Sequence, residues 1–345
     1  MPAHRHALIT GTLFAAAAGL IWGLVFVAPV LLPQYPPALL SFGRYLAFGL
    51  IALPLAWLDR ARLAQLNRAD WLEALKLAAI GNVAYYLLLS GAIQRAGAPL
   101  PTMLIGTLPV VIAVVANRRN QLRDGSLPWR QLLPSLLLML AGIALVNQAE
   151  WARYMEQDRV QLAQPAAAAA QTAQTAQAAI WRYASGAALA VGAVACWTWY
   201  PLRNADWLRH HSDRSATTWA TAQGIATLPL ALLGYAAWWA YTAASGSSFS
   251  MPLGPEPARF LLLMLAMGLL ASWLGTLCWN EASQRLPTSL AGPLIVFETL
   301  SALAYAWMLR AQMPQASVLL GVALLVAGVV WALARKPQVA SAHPA

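Results

Sequence analysis

Glu298 is the residue from which chemistry can be argued first. It lies near the middle of Leu286 to Arg310, LPTSLAGPLIVFETLSALAYAWMLR, a stretch long and apolar enough to cross a bilayer. With a helical rise of about 1.5 Å per residue, it sits roughly 15 Å from either end. A carboxylate at that depth costs about 2.5–3.5 kcal/mol on insertion scales, so such residues usually face a cavity, a partner charge or an ion path. One reading gives Glu298 proton coupling or a polar contact to substrate. The other makes it a protonated side chain hydrogen-bonded inside a helix bundle. Arg44 is the second buried charge, roughly 9 Å in from the outer end of its own apolar stretch. Its planar fork suits a substrate carboxylate. It can equally serve as counter-charge to Glu298 or snorkel to the headgroups. A closed Arg44–Glu298 pair would tie up the carboxylate and weaken the case for proton coupling.

Other polar groups sit inside apolar stretches: Asn82, Ser272, Thr107, Gln223 and Asn280. Each can line a cavity or make an interhelical hydrogen bond worth about 0.6 kcal/mol. Trp22, Trp197, Tyr85 and Tyr86 are deep aromatics that can wall a flat or apolar ligand or simply pack. Trp273 reads as packing. The five histidines lie in tails or a loop, and Cys196 and Cys278 lie in apolar runs as packing residues. No metal site, disulfide or cofactor is therefore expected. No Ser–His pair, HExxH or phosphate-binding glycine loop is present, which speaks against an enzyme.

These residues need a membrane-spanning scaffold. Of 345 residues, 60% are hydrophobic and only 10% charged, whereas a soluble chain carries about a quarter charged residues. The net charge of +10 is spread over the connections between apolar runs, with no nucleic-acid motif. The partners expected are the lipid bilayer and a small-molecule substrate, with no nucleic acid; monomer and homodimer both stay open. Ten spans can be drawn, at 8–32, 38–58, 71–93, 100–117, 130–148, 183–202, 216–242, 259–280, 288–309 and 316–334. The first is too long for a signal-peptide core and reads as a retained span. With the N-terminus inside, fourteen Lys and Arg fall on the cytoplasmic side and six opposite. Both termini are thus expected in the cytoplasm, with Gln121 inside and Gln171 outside. Asp70, Glu73 and Lys76 read as a solvated first turn. Trp57, Trp71, Trp129, Trp151, Trp181, Trp207, Trp238, Trp239 and Trp331 read as interfacial rings.

An internal repeat organises the spans. AIQRAGAPLPTMLIGTLP (92–109) aligns with ASQRLPTSLAGPLIVFET (282–299) at a constant offset, which also sets Asn82 against Ser272. A separate offset sets Trp22 against Trp197. Five spans per half is odd, so the second half must enter from the opposite face. The expected fold is an all-α polytopic membrane protein, its ten transmembrane helices forming two inverted five-helix repeats around a central cavity. The repeats run 1–148 and 183–334. An extracytoplasmic Ala/Gln-rich linker, a short surface helix or unstructured, joins them at 149–182, and a cytoplasmic tail follows at 335–345.

The IWG of Ile21–Gly23, the SFGRYLAFG around Arg44 and the two aligned segments resemble the drug/metabolite transporter superfamily. The branch they resemble is that of EamA-type exporters, which include aromatic amino-acid exporters. The chain departs from it in having Thr299 rather than Pro after Glu298, and Ala116-Asn117 and Arg310-Ala311-Gln312 where relatives carry Gly-Glu. The resemblance implies alternating access and export of small organic metabolites, amino acids among them, across a bacterial-type inner membrane. Trp22, Arg44, Asn82, Tyr85, Tyr86, Thr107, Trp197, Ser272 and Glu298 are then the candidate substrate-binding residues, and Glu298 the candidate for proton coupling. An integral-membrane enzyme or a passive channel is the alternative.

Overall fold

A computed structural model describes residues 2–96, 99–119, 127–162, 173–287, 290–311 and 313–335. No strand occurs among the described residues. In lipid, only a structure that satisfies its own backbone N–H and C=O groups can cross, and a helix does so within one segment. The helices in chain order are α1 (His6–Leu31, with a 3-10 turn at Gly23–Phe26), α2 (Pro37–Leu58) and α3 (Arg68–Ala96). α4 is broken into Pro99–Ile105 and Leu108–Arg118. Then come α5 (Trp129–Leu162), α6 (Ala173–His210), α7 (Ala216–Ala244), α8 (Pro257–Arg285), α9 (Ala291–Arg310) and α10 (Ala316–Leu333).

Eight of these are long and apolar enough to cross a membrane among the described residues; α4, whose apolar piece is Met103–Arg118, and α6 are not in that set. Prolines 54, 134, 201 and 229 lie inside helices, as bundled membrane helices tolerate. The connection expected at 149–182 is narrower than that. α5 continues to Leu162 through the helix-forming Ala, Glu, Arg and Gln of 149–162, and α6 begins at Ala173 in an Ala/Gln run. Gln121, Gln171 and the tail from Lys336 lie outside the described residues.

Small residues set how the helices cross. Gly142 of α5 meets Gly321 of α10, and a methyl group on either would come within 3 Å of the other's carbonyl oxygen. Seven residues earlier on α5, the Ser135 hydroxyl donates to the Gly328 carbonyl, seven later on α10, at 2.7 Å; the two run antiparallel. α2 and α7 are also antiparallel, with Gly49 against Leu228 and Phe42 against Gly234. α1 and α9 run parallel: Gly19 meets Phe297, Gly23 meets Ser301, and the Ser301 hydroxyl donates to the Gly19 carbonyl at 2.7 Å. α1 packs antiparallel on α8 through Trp22 and Gly275, and α3 on α6 through Gly81 and Tyr200. Such close backbone approach supplies the packing that lipid, as apolar as the helices themselves, does not.

α3 and α8 share one irregularity. Each contains a π-helical turn, at Ala78–Ala84 and at Gly268–Leu274, a constant 190 positions apart. That is the spacing that aligns Asn82 with Ser272, and each turn holds one of those two residues.

The start of α3 corrects an expectation. Asn67 caps it: its side chain accepts from the Ala69 and Asp70 backbone N–H groups, while Asp70 accepts from the Asn67 N–H. Asp70 and Glu73 are not solvated but buried. α6 folds back over them, so that Trp207 Nε1 donates to Asp70 at 3.1 Å and Arg203 engages both Glu73 oxygens. Only Lys76 of the three is exposed. Trp207 itself is buried rather than interfacial, stacked on Trp219 with ring centroids 3.4 Å apart.

Candidate functional site

Six helices converge on one buried pocket. α1 contributes Trp22 and Val25, α2 Arg44 and Tyr45, and α3 Asn82 and Tyr85; α6 contributes Trp197 and Tyr200, α8 Ser272 and Thr276, and α9 Glu298. All of these side chains are buried, and the space left between them is that of about one water molecule. Helical periodicity explains the set. Residues three or four apart share a face, as in Trp22/Val25, Asn82/Tyr85, Trp197/Tyr200 and Ser272/Thr276.

Trp197 is the hub. Its ring stacks on Tyr85 at 4.5 Å and on Tyr200 at 5.3 Å, and meets Trp22 edge-on at 5.2 Å. Its indole N–H donates to Glu298 Oε2 at 3.0 Å. Glu298 therefore points inward, held by a donor from the other end of the sequence's second half. Tyr85 carries a buried hydroxyl with no hydrogen-bond partner.

Arg44 neither reaches the surface nor closes on Glu298. It is buried, its Nε donating to Ser272 Oγ at 2.9 Å and its terminal nitrogen to the Ala271 carbonyl at 3.3 Å. Its guanidinium lies 5.0 Å from the Tyr45 ring centroid and 5.2 Å from that of Tyr86, a placement that favours a desolvated cation. Tyr86 thus supports the arginine from beside the pocket, and its hydroxyl donates to the Val25 carbonyl at 3.4 Å. Asn82 donates to Thr227 Oγ1 of α7 at 3.2 Å. The two π turns hence make corresponding contacts, Ser272 to α2 and Asn82 to α7, the first charged and the second neutral.

Thr107 stands apart. It occupies the break in α4, its hydroxyl donating to the Leu104 carbonyl at 2.6 Å, and it does not line the pocket. Gln223 and Asn280 belong to a buried network beneath the pocket. Tyr200 donates to Gln223 at 2.9 Å, Gln223 to Asn204 at 3.1 Å, and Asn204 to Asn280 at 2.8 Å, while Trp219 also donates to Asn204 at 2.8 Å. Networks satisfied in this way are stiff, so they give Tyr200 and its wall a fixed place. Trp273 donates to Thr221 at 3.2 Å, outside the pocket lining. The sequence reading missed Tyr45, Tyr200 and Thr276, each one residue or one helical turn from a recognised neighbour.

No group of three or more His, Cys, Asp or Glu suited to a metal occurs among the described residues. The site holds a cation on two acceptors and a carboxyl on one donor, between aromatic walls, inside a bundle of apolar helices.

Those features define a polytopic helical membrane protein with a buried polar pocket, and comparison with known proteins specifies which kind. Residues 9–148 match the model of the EamA-like transporter family. Over 342 residues the chain is 51% identical to "Inner membrane protein YtfF" of Escherichia coli (strain K12), covering 96% of this chain and 97% of that protein. The chain belongs to the EamA-like transporter family, as its motifs indicate. A solved structure described only as "Crystal structure of protein" shares the fold, with TM-score 0.66 at 15% identity over 93% of this chain and 96% of that one.

Proposed function

We propose that this chain is a secondary transporter that exports small organic metabolites bearing a carboxylate, amino acids foremost, across the inner membrane by alternating access. The observation that carries the reading is the pairing of Arg44 and Glu298 on one aromatic pocket without an ion pair between them. Arg44 offers a planar fork to a carboxylate. Glu298 offers an acceptor to an ammonium group, or a carrier for a proton. Tyr85, Trp197 and Trp22 offer faces to an apolar or aromatic remainder.

Alternating access needs two states of similar energy, and two inverted five-helix repeats provide them. Supporting this reading are the matched π turns and the antiparallel packing of α2 on α7 and of α5 on α10, each helix against its counterpart. In this reading α4 and α6 span with the other eight helices. The repeats take residues 1–148 and 183–334, and both termini lie in the cytoplasm, as the arginine distribution favours. The pocket has room for about one water molecule, so a metabolite fits only after the bundle opens. The similarity to an inner-membrane protein of Escherichia coli supports the inner membrane as the location.

Reconstituted protein loaded with Phe, Trp, Thr or Met should show counterflow of at least one of these, and none of a sugar or a lipophilic cation. Arg44→Lys should weaken uptake of the carboxylate substrate with little loss of fold. Glu298→Gln should flatten the pH dependence of transport. Counterflow of the sugar or the cation alone, or wild-type behaviour of both variants, rules this reading out.

A further inference from the structure

Among the residues that line the pocket, Tyr85 alone holds a fully buried side-chain polar atom with no hydrogen-bond partner, its phenolic oxygen. The ring is accounted for by its stack on Trp197, 4.5 Å away with the planes 20° apart. Phenylalanine would make the same stack and leave no buried hydroxyl unpaired, so the oxygen adds nothing to the fold. Its place is set by the π turn of α3. The Tyr85 backbone N–H closes that turn on the Ile80 carbonyl, five residues back. Tyr85 thereby shares the pocket face with Asn82, three residues before it.

The charges whose fields reach the Tyr85 oxygen are those of Glu298 and Arg44, and neither group is bonded to it. What those two groups have left decides what the hydroxyl can do. Arg44 has committed its Nε to Ser272 and a terminal N–H to the Ala271 carbonyl. A carboxylate has about four lone-pair sites, and one arriving at Arg44 finds the Nε edge taken. A phenol is a neutral donor that can complete such a site with a short charge-assisted bond. Glu298 takes the Trp197 N–H on Oε2, and its other oxygen suits an ammonium.

We propose that Tyr85 is a specificity-determining residue whose hydroxyl donates to the cargo carboxylate held at Arg44. The cargo's acid group is then recognised by two donors of different kinds, and its amino group by Glu298. A site that hydrogen-bonds one group of its ligand rejects analogues lacking that group. The inference rests on the carrier reading above and adds to it the side chain that tells an amino acid from a bare amine.

The test is Tyr85→Phe in the full chain, which removes the oxygen and keeps the ring. In detergent without ligand, its Tm should equal or exceed that of the wild type, because no bond is lost. Phenylalanine should raise the Tm of the wild type and raise that of the variant less at the same concentration. In proteoliposomes the KM for phenylalanine should rise about tenfold, as for one hydrogen bond to a charged group, with the maximal rate nearly kept. Phenylacetate, which has the carboxylate alone, should lose inhibitory potency against the variant by a similar factor. Phenethylamine, which has the ammonium alone, should not. A clear loss of Tm in the ligand-free variant makes the hydroxyl a structural group and overturns the assignment. So does an unchanged KM, an equal loss of potency for phenethylamine, or a wild type that phenylalanine does not stabilise. Phenylalanine stabilising the wild type but not the variant, with counterflow in neither, refutes the carrier reading and not the contact; identical counterflow in both does the reverse.

Discussion

At one end of the bundle the start of α3 meets the end of α6; at the other, the start of α8 meets the end of α1. The starts of α3 and α8 lie 189 positions apart, close to the 190 that separate their π turns. At the α3–α6 end the contact is built of charge. Asp70 takes the Trp207 N–H and lies 3.4 Å from His211, Glu73 binds the Arg203 fork, and Asp206 binds Arg119 at 2.7 Å. At the α8–α1 end the only charged contacts among the described residues are on the half-exposed Glu256, which takes Gln34 and Arg259, and the buried part is built of rings. Tyr35 stacks on Phe260 at 5.0 Å, its hydroxyl donating to the Leu253 carbonyl and accepting from the Glu256 N–H, both at 2.9 Å. The two ends are therefore latched by different forces. An ion pair with a buried carboxylate resists separation because that carboxylate then needs a new partner or solvent. A stacked ring with two neutral hydrogen bonds parts at lower cost.

The largest effect is expected where the charged latch is broken. Glu73→Gln leaves Arg203 without its partner. Because the Arg203 side chain is 45% exposed, solvent takes up part of the loss and the closed form should weaken by about 2 kcal/mol. Thermal unfolding in detergent reads this, and the swap Glu73→Arg with Arg203→Glu should recover most of it. A swap no better than the single change would mean that packing, not charge, closes this end. A smaller effect is expected from Tyr35→Phe, which keeps the stack on Phe260 and removes both hydrogen bonds of the hydroxyl. About 1 kcal/mol should be lost, measured in the same assay, and a loss equal to that of Glu73→Gln would erase the contrast between the ends. The smallest effect sits where α9 ends. Ala311 adopts φ 50°, the left-handed conformation, where a Cβ is unfavourable and glycine is the usual cap. Ala311→Gly should stabilise by about 0.5 kcal/mol, the relief of strain less the entropy of the added glycine. Destabilisation would show that the alanine methyl makes a contact worth more than the strain.

Much of the lining of the pocket is legible in the sequence because membrane depth filters residue types. Glu298 and Arg44 stand out in apolar runs, and the constant spacing between Asn82 and Ser272 pairs two helices far apart in sequence. What escaped has physical causes. Asp70 and Glu73 look like a solvated helix start because their partners, Arg203 and Trp207, belong to a helix more than a hundred residues later. Trp207 looks interfacial for the same reason. Thr107 has the right depth, yet the break in α4 turns its hydroxyl back to its own chain. Tyr45 and Tyr200 carry no signal of their own; only their place one residue or one turn from Arg44 and Trp197 marks them. The π turns are invisible in composition, since an i→i+5 bond uses the same residues as an α turn.

Those two turns have a mechanical consequence. Each amounts to an α-helix holding one residue too many, and the surplus is not pinned by proline at either site. Passing it one position along would swing the neighbouring side chains by roughly 100° about the helix axis, while the helix ends kept their depth in the lipid. Asn82 and Ser272 could thereby be turned toward or away from a cargo by a travelling dislocation in the backbone, leaving the outer frame of the bundle at rest.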